Sequence, residues 1–166
     1  RPRYLESAAL YLDTLAIPGA TVQGWTHADP ETMRARLGDT SYDFVALQYG
    51  TNEGNRRPFD AEAYSAELSQ ALTHLRQVFP DAQCVLIGPT DRGILTPHPR
   101  LKGKKKKKKK PRPGKPLPDL LRFAKIHQQI SDIQRSVGKT YQCAFWNWQA
   151  AMGGPGGAYR WLYKTP

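Results

Sequence analysis

The chain has 166 residues, of which 39% are hydrophobic and 10% aromatic, so it is long enough for one domain with a core and is not a disordered polypeptide. Its net charge of +11 is local, because residues 100–115 hold 11 basic and no acidic residues while the remainder holds 14 of each. This distribution argues against a nucleic-acid-binding fold, and we expect no specific nucleic-acid partner.

The sequence also disfavours a membrane-spanning protein and a metal-binding protein. The longest apolar runs are about five residues, far short of a membrane span, and no apolar signal segment follows Arg1-Pro2-Arg3. The four histidines show no metal-ligand spacing, so we expect no metal and no cofactor. Cys84 and Cys143 each lie inside an apolar run, and we expect two buried free thiols, although sequence does not fix their redox state.

The first elements alternate between strand and helix. An apolar run predicts a strand over residues 8–17, ended by Pro18-Gly19. Asp29-Pro30-Glu31 then predicts a helix start, with Asp29 as N-cap, and Gly38 predicts its end. The run Phe44–Leu47 predicts a buried strand that leads into a polar, glycine-rich turn over residues 49–55.

The middle of the chain repeats this alternation. Asp60 is a second N-cap candidate, and it precedes an apolar stripe at helical spacing formed by Tyr64, Leu68, Leu72, Leu75 and Phe79. Pro80 ends that helix, and Cys84–Ile87 predicts a third strand followed by Gly88-Pro89-Thr90-Asp91. We interpret His74 as a residue beside the stripe and not as a catalytic base.

A Lys- and Pro-rich segment over residues 93–117 interrupts the pattern. It cannot bury its charges, and its prolines oppose regular structure, so we expect a disordered insertion. Polyanion or nucleic-acid binding through Lys104–Lys110 is a weak alternative function, because the run has no interleaved aromatic residues for base stacking.

The last elements are a helix, a strand and an aromatic loop. A helix is predicted to open at Pro118-Asp119 and to end at Gly138, with His127 at the boundary of the core. A fourth strand is predicted over residues 141–145. The following segment, residues 146–157, combines two tryptophans with several glycines and suits either a substrate wall or core packing.

This order predicts a mostly parallel α/β sheet with helices on both faces. Polar or glycine residues follow the predicted strands at Gly19, Asn52, Asp91 and Asn147. Because the carboxyl ends of parallel strands share one edge of a sheet, we expect these positions to form one site.

Four segments resemble, in chain order, blocks of the SGNH (GDSL-type) esterases, and two of them are similar to its peptidoglycan O-acetylesterase branch. The turn Gly50-Thr51-Asn52-Glu53 is similar to the family's Gly-x-Asn-Asp block, with Glu in the last place. The other segments are residues 12–20, 85–92 and 145–154. The resemblance implies a flavodoxin-like three-layer α/β/α fold with strand order 2-1-3-4-5.

The resemblance also implies site roles. The backbone N–H of Gly19 and the amide of Asn52 match two oxyanion donors of the family, and the third is the N–H of the nucleophilic serine. We expect substrate contacts from Thr51, Asp91, Trp148, Gly153 and Gly154. The implied substrate is a small-molecule or glycan ester, and the implied activity is deacetylation of a cell-wall or other glycan by a periplasmic, cell-envelope or secreted protein.

Two catalytic motifs of the family have no match in these 166 residues. No Gly-Asp-Ser block precedes Gly19, and no Asp is followed three residues later by His. We therefore expect a single partial domain, residues 1–166, that lacks the first strand and the last helix and is inactive alone. The alternative is a non-catalytic carbohydrate-binding module derived from such an esterase. The acyl group, the glycan, the role of the lysine run and the oligomeric state are not determined by the sequence.

Overall fold

The computed structural model describes residues 12–27, 29–38, 41–92 and 121–163, apart from the side chains of residues 159, 162 and 163. The strands of these ranges are β1 (Phe44–Gln48), β2 (Gln83–Ile87) and β3 (Ala144–Trp146). A 3-10 turn follows β1 at Glu53–Asn55. The helices are α1 (Gln23–Thr26), α2 (Pro30–Leu37), α3 (Ala61–Val78), α4 (Arg122–Thr140), α5 (Trp148–Ala151) and α6 (Gly157–Tyr163).

The three strands form one parallel sheet in the order β1-β2-β3. In this register Leu47 lies beside Leu86, and Leu86 lies beside Phe145. Helices connect the strands, as parallel pairing requires. The predicted α/β class is therefore confirmed, and the carboxyl ends of β1, β2 and β3 meet at one edge.

Local sequence signals correctly predicted where α2 and α3 begin. The Asp29 carboxylate accepts a hydrogen bond from the Thr32 backbone N–H at 2.7 Å, and the Asp60 carboxylate accepts one from Ala63 at 2.9 Å. Each bond satisfies one of the N–H groups that a helix leaves unpaired in its first turn. Gly38 follows α2 with a φ of 63°, as a helix-terminating glycine does.

The hydrophobic core lies between one face of the sheet and helices α3 and α4. The predicted stripe on α3 is buried at Tyr64, Leu68, Leu72 and Leu75. It packs with Leu47, Leu86 and Ile130 in one cluster. The opposite face of the sheet is open to solvent within the described residues, where Phe44 is 58% and Trp146 47% exposed.

The predicted first strand is wrong for the residues that can be examined. Residues 12–17 form no strand, and Leu12, Leu15 and Ile17 are all more than 70% exposed. An apolar run becomes a strand only where a neighbouring strand pairs with its backbone. The parallel sheet of the described residues ends at β1, and this run makes no pairing with it. Residues 8–11 lie outside the described ranges.

The predicted end of α4 is also wrong. Gly138 lies inside the helix, which continues to Thr140, and a Cβ on Gly138 would lie 3.0 Å from Leu86 Cδ1. This glycine therefore allows α4 to approach β2 closely and does not terminate the helix. Gln142 adopts the left-handed conformation after the helix, with φ of 57°. The fourth strand accordingly begins at Ala144 and not at residue 141.

The cysteines are joined, so the expectation of free thiols is wrong. Cys84 and Cys143 form a disulfide with a Cα–Cα distance of 4.8 Å. Val85 pairs with Ala144 in the parallel register, which places the residues before them, Cys84 and Cys143, side by side. Pairing between residues 59 apart in sequence follows from sheet register and cannot be read from local sequence.

The predicted insertion at 93–117 and the helix start at Pro118-Asp119 lie outside the described residues. In the described ranges, no helix combines the length and the hydropathy that crossing a membrane requires.

Candidate active site

The loop after β1 packs tightly against α4. Gly50 has a φ of 113°, and a Cβ at this position would lie 2.7 Å from Ile130 Cγ2. A Cβ on Gly54 would lie 2.7 Å from the His127 ring. Both glycines are therefore required by close approach of the loop to the helix, and Gly50 also by its backbone conformation. The contacts fix the turn that carries Asn52.

Asn52 connects this turn to the segment around Gly19. Its side-chain Nδ2 donates a hydrogen bond to the Ala20 carbonyl oxygen at 2.7 Å. A primary amide carries two N–H hydrogens, so this bond orients the group and leaves one donor for a ligand. Two segments that are 32 residues apart in sequence are thereby brought into contact.

Gly19 lies in a turn closed by a hydrogen bond from Ala20 N–H to the Ile17 carbonyl at 3.1 Å. With Pro18 before it and a φ of 77°, Gly19 occupies the position of a type II turn that favours glycine. Gly19 is exposed, and its N–H makes no hydrogen bond within the described ranges. This N–H is a second available donor next to the Asn52 contact.

Glu53 is a site residue whose role the sequence did not predict. Its side chain is fully buried, at 0% exposure. One carboxylate oxygen accepts from the Val22 N–H at 2.7 Å, and the other accepts from the Gly50 N–H at 2.9 Å. The signal available in the sequence was its place directly after Asn52, where the esterase block carries an acidic residue.

An aromatic contact fixes the segment that follows Gly19. Trp25 Nε1 donates to the Tyr49 hydroxyl at 2.9 Å, and the Trp25 carbonyl lies 3.0 Å from His74 Nδ1 on α3. Burial raises the pKa of Tyr49, against the opposing effect of the bond from Trp25, so the hydroxyl stays protonated. His74 thus bonds a backbone carbonyl, which agrees with its interpretation as a residue beside the α3 stripe.

Asp91 follows β2 at the same edge of the sheet but faces the protein interior. Its side chain is buried, with Oδ1 accepting from Gln149 Nε2 at 2.8 Å and Oδ2 from the Ala158 N–H at 2.9 Å. The carboxylate therefore holds α5 and the start of α6 against the β2 loop. The expected contact between Asp91 and substrate stays a prediction.

The other predicted substrate contacts surround this edge. Thr51 is exposed beside Asn52. The rings of Trp146 and Trp148 lie 5.6 Å apart at an interplanar angle of 30°. Gly153 and Gly154 follow α5 with positive φ angles, and the Gly153 carbonyl accepts a hydrogen bond from Arg160. Asn147 caps α5 through its side chain, which accepts from the Ala150 N–H at 2.9 Å.

The buried face of α4 carries three polar side chains, of which only His127 was considered from the sequence. His127, predicted at the core boundary, is 1% exposed, and Ser131 and Gln134 are equally buried. Gln134 Nε2 donates to the Tyr49 carbonyl and to the Tyr64 hydroxyl, both at 3.0 Å. The sequence signal was their spacing, because residues 127, 131 and 134 recur at helical intervals on one face.

His127 joins α4 to the loop after β2. Its Nδ1 lies 2.8 Å from the Thr90 carbonyl oxygen, and since a carbonyl only accepts, Nδ1 carries the hydrogen. Nε2 is buried and has no hydrogen-bond partner in the described part of the chain. Burial lowers the pKa of His127, the bond to Thr90 opposes this effect, and the charges of Arg92 and Asp91 act in opposite directions.

We expect His127 to make the domain less stable in acid. Because its folded-state pKa lies below its ordinary value of 6.5, the unfolded chain takes up the proton first as pH falls below about 6.5. Stability is complete above this range and falls toward the folded-state pKa, by at most about 1.4 kcal/mol per pH unit for one proton. Thermal melts of native protein and His127→Asn between pH 8 and 5 measure this effect.

The substituted Asn amide can still donate to Thr90 but cannot be protonated, so the acid-dependent loss should be smaller in His127→Asn. His74→Asn is the matched control, because His74 also bonds a backbone carbonyl through Nδ1. Identical pH profiles for native protein and His127→Asn would contradict the assignment.

Within the described ranges, no three His, Cys, Asp or Glu side chains are grouped as metal ligands.

The described residues form a parallel α/β sheet in which Asn52, after the carboxyl end of β1, is hydrogen-bonded to the segment that follows Gly19. The comparison of sequences is more specific: this chain belongs to the GDSL-like lipase/acylhydrolase family, whose sequence profile matches residues 2–165. The resemblance to SGNH esterases is thereby confirmed. No curated protein matches the chain.

One similar solved structure is a peptidoglycan O-acetylesterase. The two chains share 26% sequence identity and superpose with a TM-score of 0.59 over 87% of the present chain. The match covers 35% of the other chain, so the present chain spans about a third of that relative's length. This similarity supports both the fold class and the O-acetylesterase-like branch of the family.

Proposed function

We propose that this domain belongs to an esterase that removes O-acetyl groups from a cell-wall or other glycan. The observation that carries the proposal is the hydrogen bond from Asn52 Nδ2 to the Ala20 carbonyl. It places a side-chain amide donor beside the Gly19 turn, whose own N–H is unbonded in the described ranges. Two such donors are suited to binding the oxyanion of a tetrahedral intermediate in ester hydrolysis.

The proposal requires a nucleophile and a base that are not found in these 166 residues. Stabilisation of an oxyanion accelerates hydrolysis only where a nucleophile forms the tetrahedral intermediate. The Gly-Asp-Ser and Asp-x-x-His motifs, which the sequence lacks, therefore belong in the proposal to a longer parent protein. Thr51, Trp148, Gly153 and Gly154 are assigned to substrate contact at the same edge.

A location outside the cytoplasm is part of the proposal. The Cys84–Cys143 disulfide supports it, because structural disulfides form and persist in oxidising compartments and are rare in the cytosol. The similar solved enzyme acts on peptidoglycan by its name, which is a polymer of the cell envelope. These observations favour an O-acetylated envelope glycan over an intracellular ester.

Release of acetate by the full-length protein tests the proposal. Purified protein is incubated with O-acetylated peptidoglycan, with the same polymer after mild alkaline de-O-acetylation, and with 4-nitrophenyl acetate. We expect acetate from the first polymer, none from the second, and loss of both activities after treatment with a fluorophosphonate. Binding to the glycan without release of acetate would instead favour a non-catalytic carbohydrate-binding module.

A further inference from the structure

The Glu53 carboxylate is buried and forms no ion pair in the described part of the chain. The nearby guanidinium of Arg56 pairs with Glu67, whose two oxygens each lie 2.8 Å from Arg56 Nη1. Glu53 instead accepts two backbone N–H groups, from Val22 and from Gly50. Burying a charge is costly unless such charge-assisted hydrogen bonds compensate for it. The two backbone N–H groups therefore supply the compensation that Glu53 needs in its buried position.

The two bonds span the proposed oxyanion site. Val22 follows the Gly19 turn closely, and Gly50 opens the turn that carries Asn52. Glu53 and Asn52 are neighbours in sequence, and both bind the segment 20–22, Asn52 through the Ala20 carbonyl and Glu53 through the Val22 N–H. These contacts together fix how far the Asn52 amide lies from the Gly19 N–H.

We propose that Glu53 is a positioning residue that holds the Asn52 amide and the Gly19 N–H in the geometry for oxyanion binding. This inference rests on the proposed function. A carboxylate suits the role because both of its oxygens accept and neither donates. Glutamine has the same shape but presents an NH2 group to one of the two N–H donors, and aspartate is shorter by one methylene group.

The test compares Glu53→Gln with Glu67→Gln in the full-length protein. Glu67 is the matched control because its carboxylate also accepts two hydrogen bonds, yet from Arg56 and not from the loop backbone. With 4-nitrophenyl acetate, we expect kcat of Glu53→Gln to fall by about 10²-fold, the effect of a misplacement near 1 Å, with KM changed less than about twofold. Glu67→Gln should keep native values of both.

A double-mutant cycle separates positioning from general stability. If Glu53 acts through Asn52 and the Gly19 turn, the loss of kcat in the variant Asn52→Ala/Glu53→Gln should be clearly smaller than the product of the two single-variant losses. Fully additive losses in kcat would overturn the proposal, as would a loss that follows only the folded fraction measured by circular dichroism. If Glu53→Gln does not fold, Glu53→Asp is used in the same cycle.

Amide hydrogen exchange tests the contacts independently of activity. We expect faster exchange at Val22 and Gly50 in Glu53→Gln than in native protein, with no such change in Glu67→Gln. Unchanged exchange at both amides would overturn the role of Glu53 even in an active enzyme. A native protein without esterase activity but with these exchange changes would overturn the proposed function and leave the contacts established.

Discussion

Replacement of Asn52 by alanine should lower kcat of the full-length protein toward 4-nitrophenyl acetate by about 10²–10³-fold, with KM nearly unchanged. The change removes a side-chain donor worth about 3–4 kcal/mol to an oxyanion transition state. KM should change little because the donor interacts mainly with charge that develops during the reaction. Steady-state kinetics over a range of substrate concentrations separate the two parameters.

Asn55→Ala is the control for this substitution. Asn55 lies in the 3-10 turn that follows Asn52 and accepts from Arg92 Nη1 at 2.5 Å, and among the described residues it makes no hydrogen bond to the Gly19 segment. Its kcat should remain within about twofold of native. A loss confined to KM in Asn52→Ala would identify Asn52 as a ground-state contact. Equal losses in both variants would show that integrity of the turn matters and not the Asn52 donor.

Removal of the Cys84–Cys143 disulfide should lower the melting temperature by about 10 °C. The two cysteines are 59 residues apart in sequence, and closing a loop of that length is worth about 4 kcal/mol in the chain-entropy account. For a domain of this size, each kcal/mol corresponds to about 2–4 °C. The variant Cys84→Ala/Cys143→Ala, melted by differential scanning calorimetry beside native protein, measures the effect.

Reduction provides the control for the same prediction. Dithiothreitol under denaturing conditions, followed by refolding, should bring native protein to the melting temperature of the alanine variant, and the variant itself should not respond. Cys84 also contacts Arg76, whose Nη2 lies 3.2 Å from Sγ. A native protein whose melting temperature is insensitive to reduction would contradict the assignment of stability to the disulfide.

Local signals in the sequence determined most of the helices and strands. Asp29 and Asp60 are N-caps because a carboxylate before a helix satisfies its first N–H groups, and this requires only neighbouring residues. The α3 stripe from Tyr64 to Leu75 is buried because its spacing matches the helical period. The edge of the sheet that carries Asn52 was predictable because parallel strands end together.

Tertiary structure alone decided the remaining features, since each depends on distant parts of the chain. Residues 12–17 have the composition of a strand but pair with no neighbour among the described residues, whereas Cys84 and Cys143 meet because two strands lie in register. Gly138 lies inside α4 at a point where the close approach of Leu86 on β2 favours a residue without a Cβ. Glu53 is buried because two backbone amides from separate segments converge on its carboxylate. Local sequence cannot specify such convergence, because hydrogen-bond partners are chosen by the packing of the whole domain.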